Sequence, residues 1–205
     1  MTLQHERVAS ATEAAVRDHL RRLHDVLDGL AAESDRLARW GAELARVLSA
    51  GGRVLAAGNG GSAAEAQHFT AELVGRFDRD RLPYSAIALT TDSSSVTAIG
   101  NDFGFDEVFA RQVRAHARPG DIVLLLSTSG RSRNLLLAAE TARTARATSW
   151  ALTGPGPNPL ALACDDAVTL DGASANVQEA ELAAVHALCI ATERELAPTA
   201  TAVPE

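Results

Sequence analysis

At 205 residues the chain is long enough for one fully cored domain with a helix or two added. Its formal net charge of -7 argues against nucleic-acid binding, for which a basic face is the usual footprint. All 19 basic residues are arginine, so imine chemistry through a lysine Schiff base and a Walker-type phosphate loop are both excluded.

The opening MTLQHERVAS lacks the basic and apolar regions of a signal peptide, and no apolar run reaches membrane-spanning length. A cytoplasmic protein with no membrane and no nucleic-acid partner is expected. Residues of about 10–50 predict two amphipathic helices. Val16, Leu20, Leu23 and Leu27 recur at helical spacing, followed by Leu37, Leu44, Val47 and Leu48. Ser34 with Asp35 fits a cap between them, and the glycines at 51 and 52 end the second helix.

From there strand and helix alternate. Apolar runs at 53–58, 85–90, 121–127, 148–153 and 166–170 predict strands, and helical patterns occupy roughly 62–76, 93–99, 106–117, 132–146 and 177–196. Strands that are apolar throughout and separated by helices belong to a parallel sheet covered on both faces. The expected fold is α/β: a five-stranded, parallel, doubly wound sheet preceded by an N-terminal helical hairpin. One domain over 1–196 is expected, with a Pro/Ala/Thr-rich tail at 197–205 that frays. Cys164 and Cys189 are far apart and in apolar surroundings, and read as small core residues.

Ligands in open α/β sheets bind beyond the carboxyl ends of the strands, and two such ends carry unusual loops. The first strand runs into Gly58, Asn59, Gly60, Gly61 and Ser62 before a helix. The third runs into Ser127, Thr128, Ser129 and Gly130, with Ser132 opening the next helix. Small residues, free backbone N–H groups and hydroxyls at a helix N-terminus suit a phosphate. A single loop of this kind fits a tight turn with a serine cap equally well; two in one sheet favour the anion. Neither fits the GxGxxG pattern of a dinucleotide site.

His68 and Glu72 are spaced one helical turn apart on the helix after the first loop, which suits half of a metal site and also a plain helix-surface pair. His186 lies in an otherwise apolar final helix, where a lone His is commonly a hydrogen-bonded core residue; Gln178 and Glu181 on the preceding turns give it polar company. His5, His19, His24 and His116 read as surface residues. Gln178 and His186 are eight residues apart, roughly 12 Å along a regular helix, so one metal reaches both only if Gln178 lies at a frayed start, the ion sits between them, or subunits share the site.

The stretches GNGGSAAEAQHFTAELVGRF (58–77), AIALTTDSSSVTAIGNDFGFDEVFARQV (86–113), GDIVLLLSTSGRSRN (120–134) and VQEAELAAVHAL (177–188) resemble the sugar isomerase (SIS) domain family and, within it, the phosphoheptose isomerases. The resemblance implies an aldose–ketose isomerase that converts sedoheptulose 7-phosphate to D-glycero-D-manno-heptose 7-phosphate through an enediol. It implies substrate contacts from Asn59, Gly60, Gly61, Ser62, Arg76, Asn101, Asp102, Ser127, Thr128, Ser129, Ser132 and Gln178. It implies Glu72 and His186 as the acid–base pair, a zinc site of His68, Glu72, Gln178 and His186, and a homotetramer with active sites at subunit boundaries. One departure stands out. Many relatives read Q-E-x-H-x-x-x-x-H where this chain has Gln178, Glu179, Ala180 and Glu181 before His186, and an altered substrate preference is the expectation from Glu181. A non-catalytic SIS adaptor, of the kind that regulates replication initiation, is the rival reading, as is another SIS enzyme acting on an amino sugar or an N-acetylmuramic acid ether phosphate. The acid–base residues separate the first rival, and by resemblance the GNDFGF stretch at 100–105 separates the second.

Overall fold

Five strands form one wholly parallel sheet in the order β2-β1-β3-β4-β5: β1 (Val54–Gly58), β2 (Ala86–Ala88), β3 (Ile122–Ser127), β4 (Thr148–Thr153) and β5 (Asp166–Thr169). The computed structural model describes residues 2–196, with side chains from residue 10 onward; the readings of His5 and of a fraying tail at 197–205 lie outside the described residues. Around the sheet lie α1 (Thr2–Ala32), α2 (Ser34–Ser49), α3 (Gly61–Val74), α4 (Ser93–Phe103), α5 (Val108–His116), α6 (Arg133–Thr144), α7 (Pro159–Ala163) and α8 (Ser174–Glu195), with a single 3-10 turn at Phe105–Glu107.

Successive strand side chains point to opposite faces, and the two faces feed two separate cores. Val54, Ala56, Ile122, Leu124, Trp150 and Val168 pack under α2, α3 and α8 with Leu44, Phe69, Val177 and Leu188. Leu55, Ala57, Val123, Leu125 and Ala151 pack on the other face with Val108, Phe109, Leu135 and Leu160. Burial on both faces is the physical reason that β1 and β3 read as unbroken apolar runs.

The two N-terminal helices meet at Glu33, and both pack mainly on α8. Trp40 of α2 stacks on Trp150 of β4 with ring centroids 4.6 Å apart, and its Nε1 donates to Asp166 Oδ2 at 2.9 Å. Arg36 pairs with the same carboxylate. The expected cap differs. A one-residue joint leaves no room for an extended capping residue, so Glu33 takes the N-cap position without a side-chain bond, and the Ser34 hydroxyl donates back to Ala31 O. On α1 the buried residues are Val26 and Leu30, while Val16 and Leu20 are 56% and 58% exposed. At 1.5 Å per residue α1 spans about 45 Å, and α8 is its main packing partner. Gly51, at φ +82, ends α2 as expected.

Other boundaries move. The five-residue α7 was not predicted, although Asn158 followed by Pro159 is a helix-start signal and Asn158 Oδ1 does accept from Ala161 N at 3.0 Å. Helix α8 starts at Ser174, which puts Gln178 inside regular helix and not at a frayed end. Cys189 is buried and Cys164 half-buried, and burial pushes both thiols up to about 12. No helix among the described residues is long and apolar enough to cross a membrane.

In this strand order the chain reverses direction across the sheet between β1 and β3, and ligand crevices open at the carboxyl ends of strands at such a reversal. The Gly58–Ser62 and Ser127–Gly130 loops leave those two strands side by side.

Candidate active site

Two helices supply the candidate catalytic side chains. On α3, Ala66, Phe69 and Leu73 turn into the core, and His68 and Glu72 share a half-exposed face beside α8. On α8, Val185, Leu188 and Cys189 are buried and hold His186 against that face. His68 Nε2 and His186 Nε2 lie 2.8 Å apart, one ring donating and the other accepting, and His68 Nε2 is 3.4 Å from Glu72 Oε1. The donor atoms of His68, Glu72 and His186 all lie within 4.8 Å of one another. Phe77 covers one side, its ring centroid 5.4 Å from that of His186. Glu65, one turn before His68, is held above the ordinary carboxylate range by burial, against the opposing pull of His68 and His186.

The two loops are tied together before any ligand is considered. Asn59 Nδ2 donates to Asn134 Oδ1 at 3.0 Å and Asn134 Nδ2 returns a bond to Asn59 Oδ1 at 2.9 Å. In the second loop Ser127 Oγ accepts from Gly130 N at 3.1 Å, Ser129 Oγ accepts from Arg131 N at 3.3 Å, and Ser174 Oγ on α8 donates to Thr128 Oγ1 at 2.8 Å. Gly130 sits at φ +59 with its α-carbon against Asn158, so a side chain there would strain the backbone and strike the asparagine. Ser132 is the N-cap of α6 but makes no side-chain capping bond, which leaves its hydroxyl for a ligand.

Gln178, Ser62, Arg76, Asn101 and Asp102 stand outside the histidine cluster. Gln178 is not gathered with the histidines. With its amide oxygen facing α3, it accepts from Gly61 N at 3.2 Å and Ser62 N at 2.8 Å, so it occupies the very donors expected to hold an anion. Ser62 is 3% exposed and its hydroxyl bonds Glu181 Oε2 at 2.7 Å. Glu181 is fully buried, and its Oε1 has no partner. Arg76 at the end of α3, and Asn101 and Asp102 on α4, are exposed, and Asn101 Nδ2 donates to Asp102 Oδ1 at 2.7 Å. Asn134, Asn158 and Ser174 shape the loops without having been singled out. Asn134 and Asn158 stand next to the helix starts that were predicted or missed, the one signal that marks them. A concavity of about 500 Å³ lies between α5 and α6 beside Glu107, Arg114 and Glu140 and touches neither loop.

Residues 18–154 match the model of the SIS domain family. The chain is 57% identical over 179 residues to the phosphoheptose isomerase of Streptomyces coelicolor, a match spanning 87% of this chain and 78% of that one. The structure of the phosphoheptose isomerase of Neisseria gonorrhoeae superposes with a TM-score of 0.77 at 38% identity, covering 94% of this chain and all of the other. That of Francisella tularensis gives 0.75 at 33% identity, covering 95% of this chain and 100% of the other. An SIS fold of this order, carrying the His68, Glu72 and His186 cluster between α3 and α8, agrees with those matches, and the chain belongs to the phosphoheptose isomerase branch of the SIS domain family.

Proposed function

We propose that the protein interconverts sedoheptulose 7-phosphate and D-glycero-D-manno-heptose 7-phosphate. The observation that carries this reading is the convergence of Glu72 and His186, from two different helices, at a distance that one bound sugar can bridge. Isomerisation removes a proton from the carbon beside the carbonyl, giving a cis-enediol, and returns a proton to the neighbouring carbon. A carboxylate and an imidazole on opposite sides of that two-carbon unit suit both transfers. The phosphate end is assigned to the amides of Gly60, Gly61 and Ser62 and to the hydroxyls of Ser127, Thr128, Ser129 and Ser132, with Asn59 and Gln178 beside them. Binding there requires the Gln178 amide to leave the α3 N-terminus.

Two imidazole nitrogens and a carboxylate oxygen within 4.8 Å fit the three-ligand donor set of a catalytic zinc that keeps a position open. His68, Glu72 and His186 would hold the ion. Its chemistry when bound is to polarise the substrate carbonyl. Glu72 has two oxygens, so one can ligate while the other faces a carbon-bound proton.

Exposed apolar side chains support a homotetramer in which neighbouring subunits complete the site. Val16 and Leu20 stand out from α1, and Phe103 and Phe105 flank the exposed Asn101 and Asp102 region. In such an assembly Arg76, Asn101 and Asp102 reach substrate across the boundary. We place residues 1–196 in one SIS domain and the protein in the cytoplasm, the latter supported by the absence of a membrane-spanning helix among the described residues.

The deciding experiment incubates the protein with sedoheptulose 7-phosphate, with and without a chelator, and follows the aldose by NMR. Aldose that forms and is suppressed by chelation is expected; no aldose from metal-replete protein overturns the isomerase reading.

A further inference from the structure

Glu181 stands where the resemblance implies a histidine, and its surroundings are specific. It is the charged-type residue of α8 that points at the first loop. It is wholly shielded from solvent, its Oε2 is 2.7 Å from Ser62 Oγ, and its Oε1 is without a partner. A buried carboxylate with one hydroxyl for company is expensive to leave charged, because a single neutral donor does not replace the lost hydration. The charged group facing it is Glu65 on α3, which opposes ionisation. Among the described residues α1, α2 and β4, the other elements packed on α8, add no charge that acts on it.

A hydroxyl–carboxyl contact at this distance has two senses, and the difference matters to a ligand. With an ionised Glu181, Ser62 must donate its only proton inward, and its Oγ then offers nothing to an anion. With a carboxylic acid, Glu181 donates to a Ser62 lone pair and the Ser62 proton is free to turn outward. The backbone N–H groups of Gly61 and Ser62 already aim at an oxygen in that place: the Gln178 amide oxygen sits on both, where a phosphate oxygen would.

We propose that Glu181 is a positioning residue whose carboxylic O–H donates to Ser62 Oγ and thereby turns the Ser62 proton toward a phosphate oxygen held on the Gly61 and Ser62 amides. No proton changes owner in this arrangement; Glu181 fixes only the sense of a two-link hydrogen-bond chain. The proposal rests on the phosphate placement given above. Burial, opposed by the Ser62 bond and aided by Glu65, pushes the Glu181 carboxyl up to about 8, so the acid form persists through neutral pH and is lost in mild alkali.

The test uses the full chain, inorganic sulfate as a dianion whose own charge is fixed over the range, and sedoheptulose 7-phosphate in parallel. Wild-type sulfate affinity and KM should each weaken by about tenfold as pH rises from about 7 to about 9.5, with kcat following separately. Glu181→Gln, whose amide N–H still donates to Ser62, should bind sulfate with the neutral-pH affinity of the wild type and lose that pH dependence. Glu181→Ala should raise KM about tenfold at neutral pH and change kcat by less than about twofold. The same alkaline weakening in Glu181→Gln, unaltered sulfate affinity in Glu181→Ala, or no sulfate bound by the wild type would each overturn the proposal. Turnover of sedoheptulose 7-phosphate that is indifferent to Glu181 sinks this inference and leaves the isomerase reading standing; Glu181-dependent sulfate binding without turnover does the reverse.

Discussion

Glu193 and Glu181 lie on the same face-packed helix, α8, both almost wholly shielded from solvent, in opposite surroundings. Glu193 accepts from Phe77 N, Asp78 N and Arg79 N at 3.2–3.3 Å and from Arg81 Nε at 3.1 Å. Arg81 in turn donates to Glu72 O at 2.6 Å and Leu73 O at 2.9 Å, which satisfies carbonyls left open at the end of α3. Glu181 has one hydroxyl and an orphaned oxygen. A buried charge surrounded by donors is architecture: Glu193 and Arg81 clip the loop after α3 onto α8 and so set the distance between Glu72 and His186. A buried carboxyl with its bonding incomplete does not stabilise the fold as an ion, and its place beside the loop proposed to hold phosphate gives it a different reason to be there.

The sharpest separation of chemistry from architecture is Glu72→Gln. It removes the carboxylate proposed for the acid–base pair while Arg81 still holds the backbone of residue 72, so turnover should fall by about a thousandfold or more with the unfolding midpoint almost unchanged, measured by NMR rate and urea titration. Sugar-phosphate binding should survive; near-normal turnover would end the assignment. Next in size is Glu193→Ala, which strands Arg81 in a buried site. A loss of about 3–5 kcal/mol is expected from the urea midpoint, and a loss below about 1 kcal/mol would break the comparison by showing the clip to be idle.

The smallest effect has a sign that tells the two carboxyls apart. The Glu181 carboxyl is raised from its ordinary 4.5 to about 8, so between those values the folded protein keeps a proton that the unfolded chain has released. Its contribution to stability is complete below about pH 4.5 and disappears as pH climbs through about 8. Between about pH 6 and about pH 7.5 the wild type should lose about 2 kcal/mol relative to Glu181→Gln, read from paired urea titrations. Parallel curves for the two proteins would mean that the buried acid is not held neutral.

The order of strands and helices was readable because β1 and β3 are buried on both faces, and two-sided burial writes itself into sequence as uninterrupted apolar runs. Helix α7 escaped because five residues are too few to display a period. His68 and Glu72 were visible as a pair, since one turn of helix guarantees their proximity; that His186 meets them depends on how α8 docks on α3, which periodicity does not encode. The same docking decides that Ser62 Oγ lies against the Glu181 carboxyl, and that Gln178 answers the α3 amides from the second turn of α8. At the sequence level Glu181 is a charged residue in an apolar helix; only the tertiary contact reveals that nothing solvates one of its oxygens.

The reciprocal amide pair between Asn59 and Asn134 has a consequence for binding cost. Because each side chain both gives and receives, the start of α3 and the start of α6 are latched at a fixed separation. On the proposed placement a double-ended sugar phosphate meets a cradle whose width is set in advance, and little loop entropy remains to be surrendered when it docks.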